Sequence, residues 1–156
     1  MPSEQTSSPS VLMLIAGAQG AIGTTVALAT AQLRKNPESI LSALTTAQRF
    51  AYLGDPGHIA VAGWDKLQAP IEEALRRHGV LPEALWREHA AQLSQIDIRP
   101  APPESALLAE QVETIQGDMR QFLARWPSAR PVLVNLLPAA CDSAQLHHLE
   151  TLDEML

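Results

Sequence analysis

The sequence predicts an α/β fold of the Rossmann-like class, a parallel sheet with helices on both faces. Three observations predict it. Continuous apolar runs suit strands buried on both faces, helical patterns alternate with those runs, and a glycine-rich turn joins the first strand to the first helix. Such an alternation implies parallel pairing with right-handed crossovers. Three buried strands make about half of a dinucleotide-binding fold, so the fold is expected to be incomplete.

Length and charge narrow the class of protein. The chain has 156 residues, which suits one domain with a real core, and 46% of them are apolar, which argues against wholesale disorder. The 11 Lys and Arg and the 17 Asp and Glu give a net charge of −6. Because nucleic-acid binding needs a basic surface, this charge argues against a nucleic-acid partner. No apolar run is long enough for a membrane span, and the start does not read as a signal peptide. We therefore expect a cytoplasmic protein.

The amino-terminal part predicts a tail, a strand and a helix. Residues 1–10 are polar and are expected to form a disordered tail, which leaves 11–156 as the domain. Residues 11–16, VLMLIA, form an apolar run typical of a buried strand, and the helical pattern after the glycines ends at Lys35. The apolar residues of that helix that share one face are Ile22, Val26, Ala29 and Leu33.

The remaining elements follow from periodicity and from Pro and Gly punctuation. In chain order, we predict a helix over 37–52, a turn at 54–57, a buried strand over 58–65, helices over 70–78 and 82–93, an extended piece at 94–100, a helix over 104–125, a buried strand over 130–138 and one more helix within 142–156. The helix over 104–125 has the clearest apolar stripe, formed by Leu108, Val112, Ile115, Met119 and Phe122.

The glycine turn is the sharpest chemical signal. Gly17, Gly20 and Gly23 form G-x-x-G-x-x-G between a strand and a helix, the context of a dinucleotide fingerprint. Gly17 permits the tight turn, Gly20 lets a pyrophosphate approach the backbone, and Gly23 lets the helix lie close to the strand. The helix amino end then offers unpaired N–H groups and about half a positive charge to the anion. The alternative is a turn that merely packs strand against helix.

Two polar residues lie at the carboxyl edge of the predicted sheet, Asp65 at the end of one strand and Asn135 near the end of another. Asp65 can accept hydrogen bonds from the adenosine ribose, and its charge favours NAD over NADP; the alternative is a turn or helix-cap aspartate. Asn135 can hold the nicotinamide side of a cofactor; the alternative is an amide bonded to loop backbone.

Other reactive residue types give no comparable signal. His147 and His148 are adjacent, so on a helix they face different directions, and solvated histidines are the better interpretation. Cys141 is interpreted as an unactivated thiol, and Trp64, Trp86 and Trp126 as packing residues. We therefore predict neither a metal site nor a catalytic residue in this chain.

Several stretches in order resemble the amino-terminal NAD-binding region of the myo-inositol-1-phosphate synthase (inositol-3-phosphate synthase) family. They are the glycine loop, HIAVAGWD, ALRRHGVLPEALWREHAAQLSQIDIRPAP, AEQVETIQGDMRQFLARW and RPVLVNLLPA. The resemblance covers roughly residues 11–140 and implies a Rossmann-like fold with NAD as cofactor. It also implies an isomerase-type, NAD-dependent cyclisation of glucose 6-phosphate to inositol phosphate. The resemblance implies that the family's cofactor contacts fall at the matching positions of this sequence. The adenosine ribose is then expected at Asp65 and the nicotinamide half near Asn135. The pyrophosphate is expected to lie along Gly17, Gln19, Gly20, Ala21 and Ile22.

The chain departs from the family in ways that bear on catalysis. Family members are more than twice as long, and their sugar-phosphate site and oligomer-forming sheet follow this region. The strand-end loop reads LLPA and lacks the family's Thr-Glu, and the only lysines, Lys35 and Lys66, match no catalytic context. We therefore expect an NAD-binding domain that is not catalytic alone, as part of a homo- or hetero-oligomer or beside a sugar-phosphate-binding domain or chain. The alternative is a stand-alone nucleotide-binding, regulatory or assembly module without enzymatic activity.

Overall fold

The computed structural model describes residues 9–36 and 58–137. Within them the elements are β1 (Val11–Ala16), α1 (Ala21–Lys35), β2 (Ile59–Asp65), α2 (Ile71–His78), α3 (Glu83–Arg87), α4 (Ala90–Leu93), β3 (Asp97–Pro100), α5 (Leu108–Arg125) and β4 (Arg130–Asn135). Several predictions fall outside these residues: most of the tail, the helix over 37–52, the turn at 54–57, the helix within 142–156, Cys141, His147 and His148.

The four strands form one parallel sheet in the order β3-β2-β1-β4. The prediction of a parallel α/β fold is therefore confirmed, and the piece at 94–100 adds a strand to the three predicted buried ones. The chain runs outward from β1 through β2 to β3 and then returns to the other side of β1. This reversal brings the carboxyl ends of β1 and β4 together, where open α/β sheets bind their ligands.

Alternate residues of β1 divide the core between the two faces of the sheet. Leu12 and Leu14 are fully buried on the α5 side, in a cluster that includes Phe122. Ile15 lies on the opposite side, in a cluster against which Val26 of α1 packs. The predicted arrangement of helices on both faces is thus confirmed.

A polar bridge ties α5 to the sheet. The Trp64 ring lies edge-on to Phe122 with centroids 5.4 Å apart, and its indole Nε1 donates to Asp118 Oδ2 at 2.8 Å. Arg99 Nη1 donates to Asp118 Oδ1 at 2.6 Å, and its guanidinium lies over the Phe122 ring. A buried indole N–H and a partly buried carboxylate thus satisfy each other. The packing role predicted for Trp64 is correct.

The predicted apolar stripe of α1 is not its most deeply buried face. Ile22 is 63% exposed and Val26 is half-buried, whereas the buried residues are one leucine and otherwise small residues and threonines: Leu28, Gly23, Thr24, Ala27, Thr30 and Ala31. Ala27, Leu28 and Ala31 pack against residues of the neighbouring helices, among them Ile71, Leu75 and Trp86, whereas Val26 packs towards the sheet beside Ile15 and Val61. The buried threonine hydroxyls donate to carbonyls of the preceding turn, so burial leaves no hydroxyl unsatisfied.

The last strand is not buried as predicted. Within the described part of the chain, β4 pairs with β1 alone and ends at Asn135, and its residues are exposed apart from the half-buried Val134. Leu133 is 62% exposed. The continuous apolar run signalled a strand correctly, but cover by neighbours cannot be inferred from the run itself.

Two helix predictions need correction, and one is confirmed. The stretch 82–93 forms two short helices, α3 and α4, separated at His89, which is fully buried. The helix α5 begins at Leu108 rather than at 104, and its first turns expose Leu108 and Val112. The helix predicted over 70–78 is confirmed, with Gly79 in the left-handed conformation directly after it.

Candidate functional site

The glycine loop lies at the carboxyl edge of the sheet, anchored to its neighbours by backbone bonds. The N–H groups of Gly17 and Ala18 both donate to the Trp64 carbonyl, at 2.9 and 3.1 Å. Gly17 has φ of +84°, a conformation that side chains rarely adopt, and a Cβ there would also lie 3.2 Å from the Leu136 carbonyl oxygen. Glycine at position 17 therefore permits the tight turn and lets the loop lie close to the backbone of Leu136, just after β4.

The second and third glycines differ in what surrounds them. A Cβ at Gly20 would meet only the Gly17 carbonyl oxygen, at 3.2 Å, so the space on that side of Gly20 is otherwise open. A Cβ at Gly23 would lie 2.5 Å from the Ala18 carbonyl oxygen and 2.7 Å from that of Gly17. The helix can therefore pack against the loop only because residue 23 is glycine.

The amino end of α1 is uncapped within the described residues. Gly20 is the N-cap, no side chain bonds to the first-turn N–H groups, and no acidic residue lies in that turn. Thr24 and Thr25 donate their hydroxyls to carbonyls of Gly20 and Ala21, away from the free N–H groups. The N–H groups of Ala21, Ile22 and Gly23 thus remain available beside the positive end of the helix dipole.

Asp65 ends β2 next to this loop. Its Oδ2 accepts from the Gln19 N–H at 2.8 Å, and its Oδ1 accepts from the Leu67 N–H at 2.9 Å. The bond to Leu67 is the turn bond of the alternative interpretation. Each carboxylate oxygen still has acceptor capacity, because an ionised carboxylate offers about four lone-pair sites. Asp65 can thus hold the loop and still accept from a ribose hydroxyl.

Gln19 is the most extensively bonded residue of the loop. It is 5% exposed, and its side-chain Nε2 donates to the Ala69 carbonyl at 2.5 Å, in the segment that leads into α2. Its Oε1 is buried and has no hydrogen-bond partner among the described residues. The side chain therefore packs towards α2 and leaves its backbone to shape the loop.

Asn135 lies at the same edge, at the end of the neighbouring strand. It is aligned with Ala16, the last residue of β1, and its side chain is exposed. Its Oδ1 accepts from the Leu137 N–H at 3.0 Å, the loop-backbone bond of the alternative interpretation. The structure thus places the glycine loop, Asp65 and Asn135 along one edge.

Two residues near the loop were not predicted from sequence. The ring Nε2 of His78, the last residue of α2, lies 2.8 Å from the Gln19 carbonyl oxygen. A Cβ at Gly63 would lie 2.0 Å from the Ile15 carbonyl oxygen, so β1 and β2 require glycine there. For His78, the available signal was its spacing from Ile71 and Ala74, which places this exposed histidine on the same side of α2 as those two buried residues.

The same edge of the sheet also contains a groove. The groove, of about 510 Å³, lies beyond β2 and β3 and is lined by Lys66 and residues 101–105. Across residues 9–36 and 58–137, no group of His, Cys, Asp and Glu could hold a metal ion. Over the same residues, no helix is long and apolar enough to cross a membrane.

Strand order and loop geometry together define a Rossmann-like α/β domain. No protein-family model matches the sequence, and no curated protein matches it significantly. In structure, the chain is similar to inositol-3-phosphate synthase from Caenorhabditis elegans, with a TM-score of 0.66 and 15% sequence identity. The match covers 84% of this chain and 35% of that one, so the chain spans about a third of the solved protein's length. The similarity confirms the fold, and it agrees with the predicted partial domain.

Proposed function

We propose that this chain is an NAD-binding domain related to that of inositol-3-phosphate synthase. The single observation that carries the proposal is the uncapped amino end of α1, which presents three free N–H groups next to Gly20, whose Cβ position has only the Gly17 carbonyl oxygen nearby. A pyrophosphate needs such a surface, because its oxygens accept hydrogen bonds and its charge favours the helix amino end.

The residues around that end suit the other parts of NAD. Asp65 retains acceptor capacity for the adenosine ribose, and its negative charge disfavours the extra phosphate of NADP. The groove beside Lys66 is open next to Asp65 and offers space for the base. Asn135 lies on the β4 side, where the nicotinamide half would extend. When bound, NAD supplies a reversible hydride acceptor.

We further propose that catalysis requires a second domain or chain. Cyclisation of a sugar phosphate develops negative charge, which cationic groups must stabilise. The chain has two lysines; Lys35 pairs with Glu88 at 2.7 Å, and Lys66 pairs closely with Glu104. Both lysines are thus exposed surface residues paired with a glutamate, and neither is held in a buried site where its charge would strongly stabilise such an intermediate.

Titration calorimetry with NAD tests the binding proposal. We expect NAD to bind and NADP to bind at least about tenfold more weakly, a difference of about 1.4 kcal/mol. The variant Gly20→Val should abolish binding, because its side chain fills the open space next to the free N–H groups. The matched control is Gly117→Val, on α5, where a Cβ meets nothing within 4 Å.

Two results would contradict the proposal. If NAD produces neither heat nor a thermal shift at millimolar concentration, the loop is only a structural turn. If Gly20→Val binds like the wild type, NAD lies elsewhere. For catalysis, glucose 6-phosphate with NAD should yield no inositol phosphate from this chain alone, and detection of product by phosphate-specific chromatography would refute the need for a second domain.

A further inference from the structure

Two consecutive peptide groups of the glycine loop are held by side chains from distant parts of the chain. The peptide before Gln19 donates its N–H to Asp65 Oδ2 at 2.8 Å. The peptide after it has its carbonyl oxygen 2.8 Å from His78 Nε2. Because each peptide group is planar, fixing one atom of the group also orients the other.

The second of these peptides leads directly into the anion site. It contains the Gln19 carbonyl and the Gly20 N–H, and that N–H donates to the Gly17 carbonyl at 3.1 Å. Gly20 is the N-cap of α1, so the next N–H groups are the free ones. The orientation of this peptide therefore sets the direction in which α1 begins.

The chemistry of the contact defines the role of the imidazole. A carbonyl oxygen can only accept, so His78 Nε2 carries the hydrogen and donates it. His78 continues the face of α2 that contains Ile71 and Leu75, both buried, and Gly79 ends the helix just beyond it. The helix is thus packed so that its last side chain reaches the loop.

We propose that His78 is a positioning residue for the nucleotide site, which orients the Gln19–Gly20 peptide and thereby the free N–H groups of α1. The inference rests on the proposed function, since it assigns a role in NAD binding to a residue outside the loop. It predicts that His78 raises NAD affinity although it does not itself touch the ligand.

Three variants test this role. His78→Leu removes the donor, His78→Gln retains an N–H donor of similar reach, and Arg77→Leu changes the neighbouring residue, whose ion pair with Glu73 stays within α2. Calorimetry should give about tenfold weaker NAD binding for His78→Leu, equivalent to about 1.4 kcal/mol. The glutamine variant should recover most of that affinity, and Arg77→Leu should match the wild type. Recovery by glutamine distinguishes hydrogen-bond donation from simple packing.

Amide hydrogen exchange, followed by NMR without nucleotide, separates this inference from the proposed function. The Gly20 amide should exchange faster in His78→Leu and at the wild-type rate in the other two variants. Wild-type exchange at Gly20 in His78→Leu, or faster exchange with unchanged NAD affinity, would overturn the inference. If the wild-type chain bound no NAD, the proposed function would fail, while faster Gly20 exchange in His78→Leu would still support the anchoring of the loop.

Discussion

Replacing Gly23 with alanine tests whether the third glycine is needed for packing. The added Cβ would lie 2.5 Å from the Ala18 carbonyl oxygen, whereas real Cβ atoms essentially never come within 3.0 Å of another heavy atom. The helix or the loop must therefore move by at least 0.5 Å, the difference between these two distances. The nearest atoms are all backbone, so no side chain can rotate to make room. Such overpacking costs about 1–3 kcal/mol of unfolding free energy.

A second glycine in a helix provides the control. At Gly117, on α5, a Cβ meets nothing within 4 Å, so Gly117→Ala should stabilise the protein by up to about 1 kcal/mol through helix propensity. Urea unfolding followed by circular dichroism gives both values. We expect the two variants to differ by about 2 kcal/mol or more, which is about 1 M in urea midpoint. If Gly23→Ala were as stable as Gly117→Ala, the proposed close packing of α1 on the loop would be refuted.

Three further changes test other contacts. Asp65→Ala leaves two backbone N–H groups without their acceptor and should lower the unfolding free energy by about 1–3 kcal/mol in urea; an unchanged midpoint would show that those bonds do not hold the loop. Arg99→Met leaves the partly buried Asp118 without its cation and should cost about 1.5–3 kcal/mol, measured in the same way. The pKa of Glu88 is lowered from 4.5 by the hydrogen bond and charge of Lys35, so its stabilisation is present at neutral pH and is lost as the pH falls below 4.5. Glu88→Gln should accordingly lower the midpoint slightly at pH 7 but not at pH 3, and a difference that persists at pH 3 would contradict this assignment.

The strands and the loop could be predicted because their signals are local. An apolar run that ends at a glycine has few structural solutions, and VLMLIA followed by three spaced glycines predicts both β1 and the loop at its end. The same holds for α2, whose Pro70 and Gly79 mark its ends. These features depend on residues within a few positions of one another, which the sequence displays directly.

The faces of the helices could not be predicted in the same way. The stripe through Ile22 and Val26 on α1 was selected because large apolar residues normally point inwards. The structure buries Ala27, Leu28 and Ala31 more deeply, because α2, α3 and α4 cover that side of α1, and it leaves Val26 half-buried against the sheet. Apolar periodicity identifies a helix, but the depth at which it packs depends on the partner surface, which lies elsewhere in the sequence.

The candidate site depends on contacts of even longer range. Gln19 bonds to Asp65 and His78, which are 46 and 59 residues away, and no spacing rule connects them. Because the sequence does not display these contacts, it leaves two interpretations of Asp65 open, as a residue that binds the ribose or as a turn or helix-cap aspartate. The geometry makes them compatible, because a carboxylate that accepts one N–H per oxygen can still accept a ribose hydroxyl. A residue that shapes the loop would then also bind the ligand, so loop order and nucleotide affinity should change together when Asp65 is replaced.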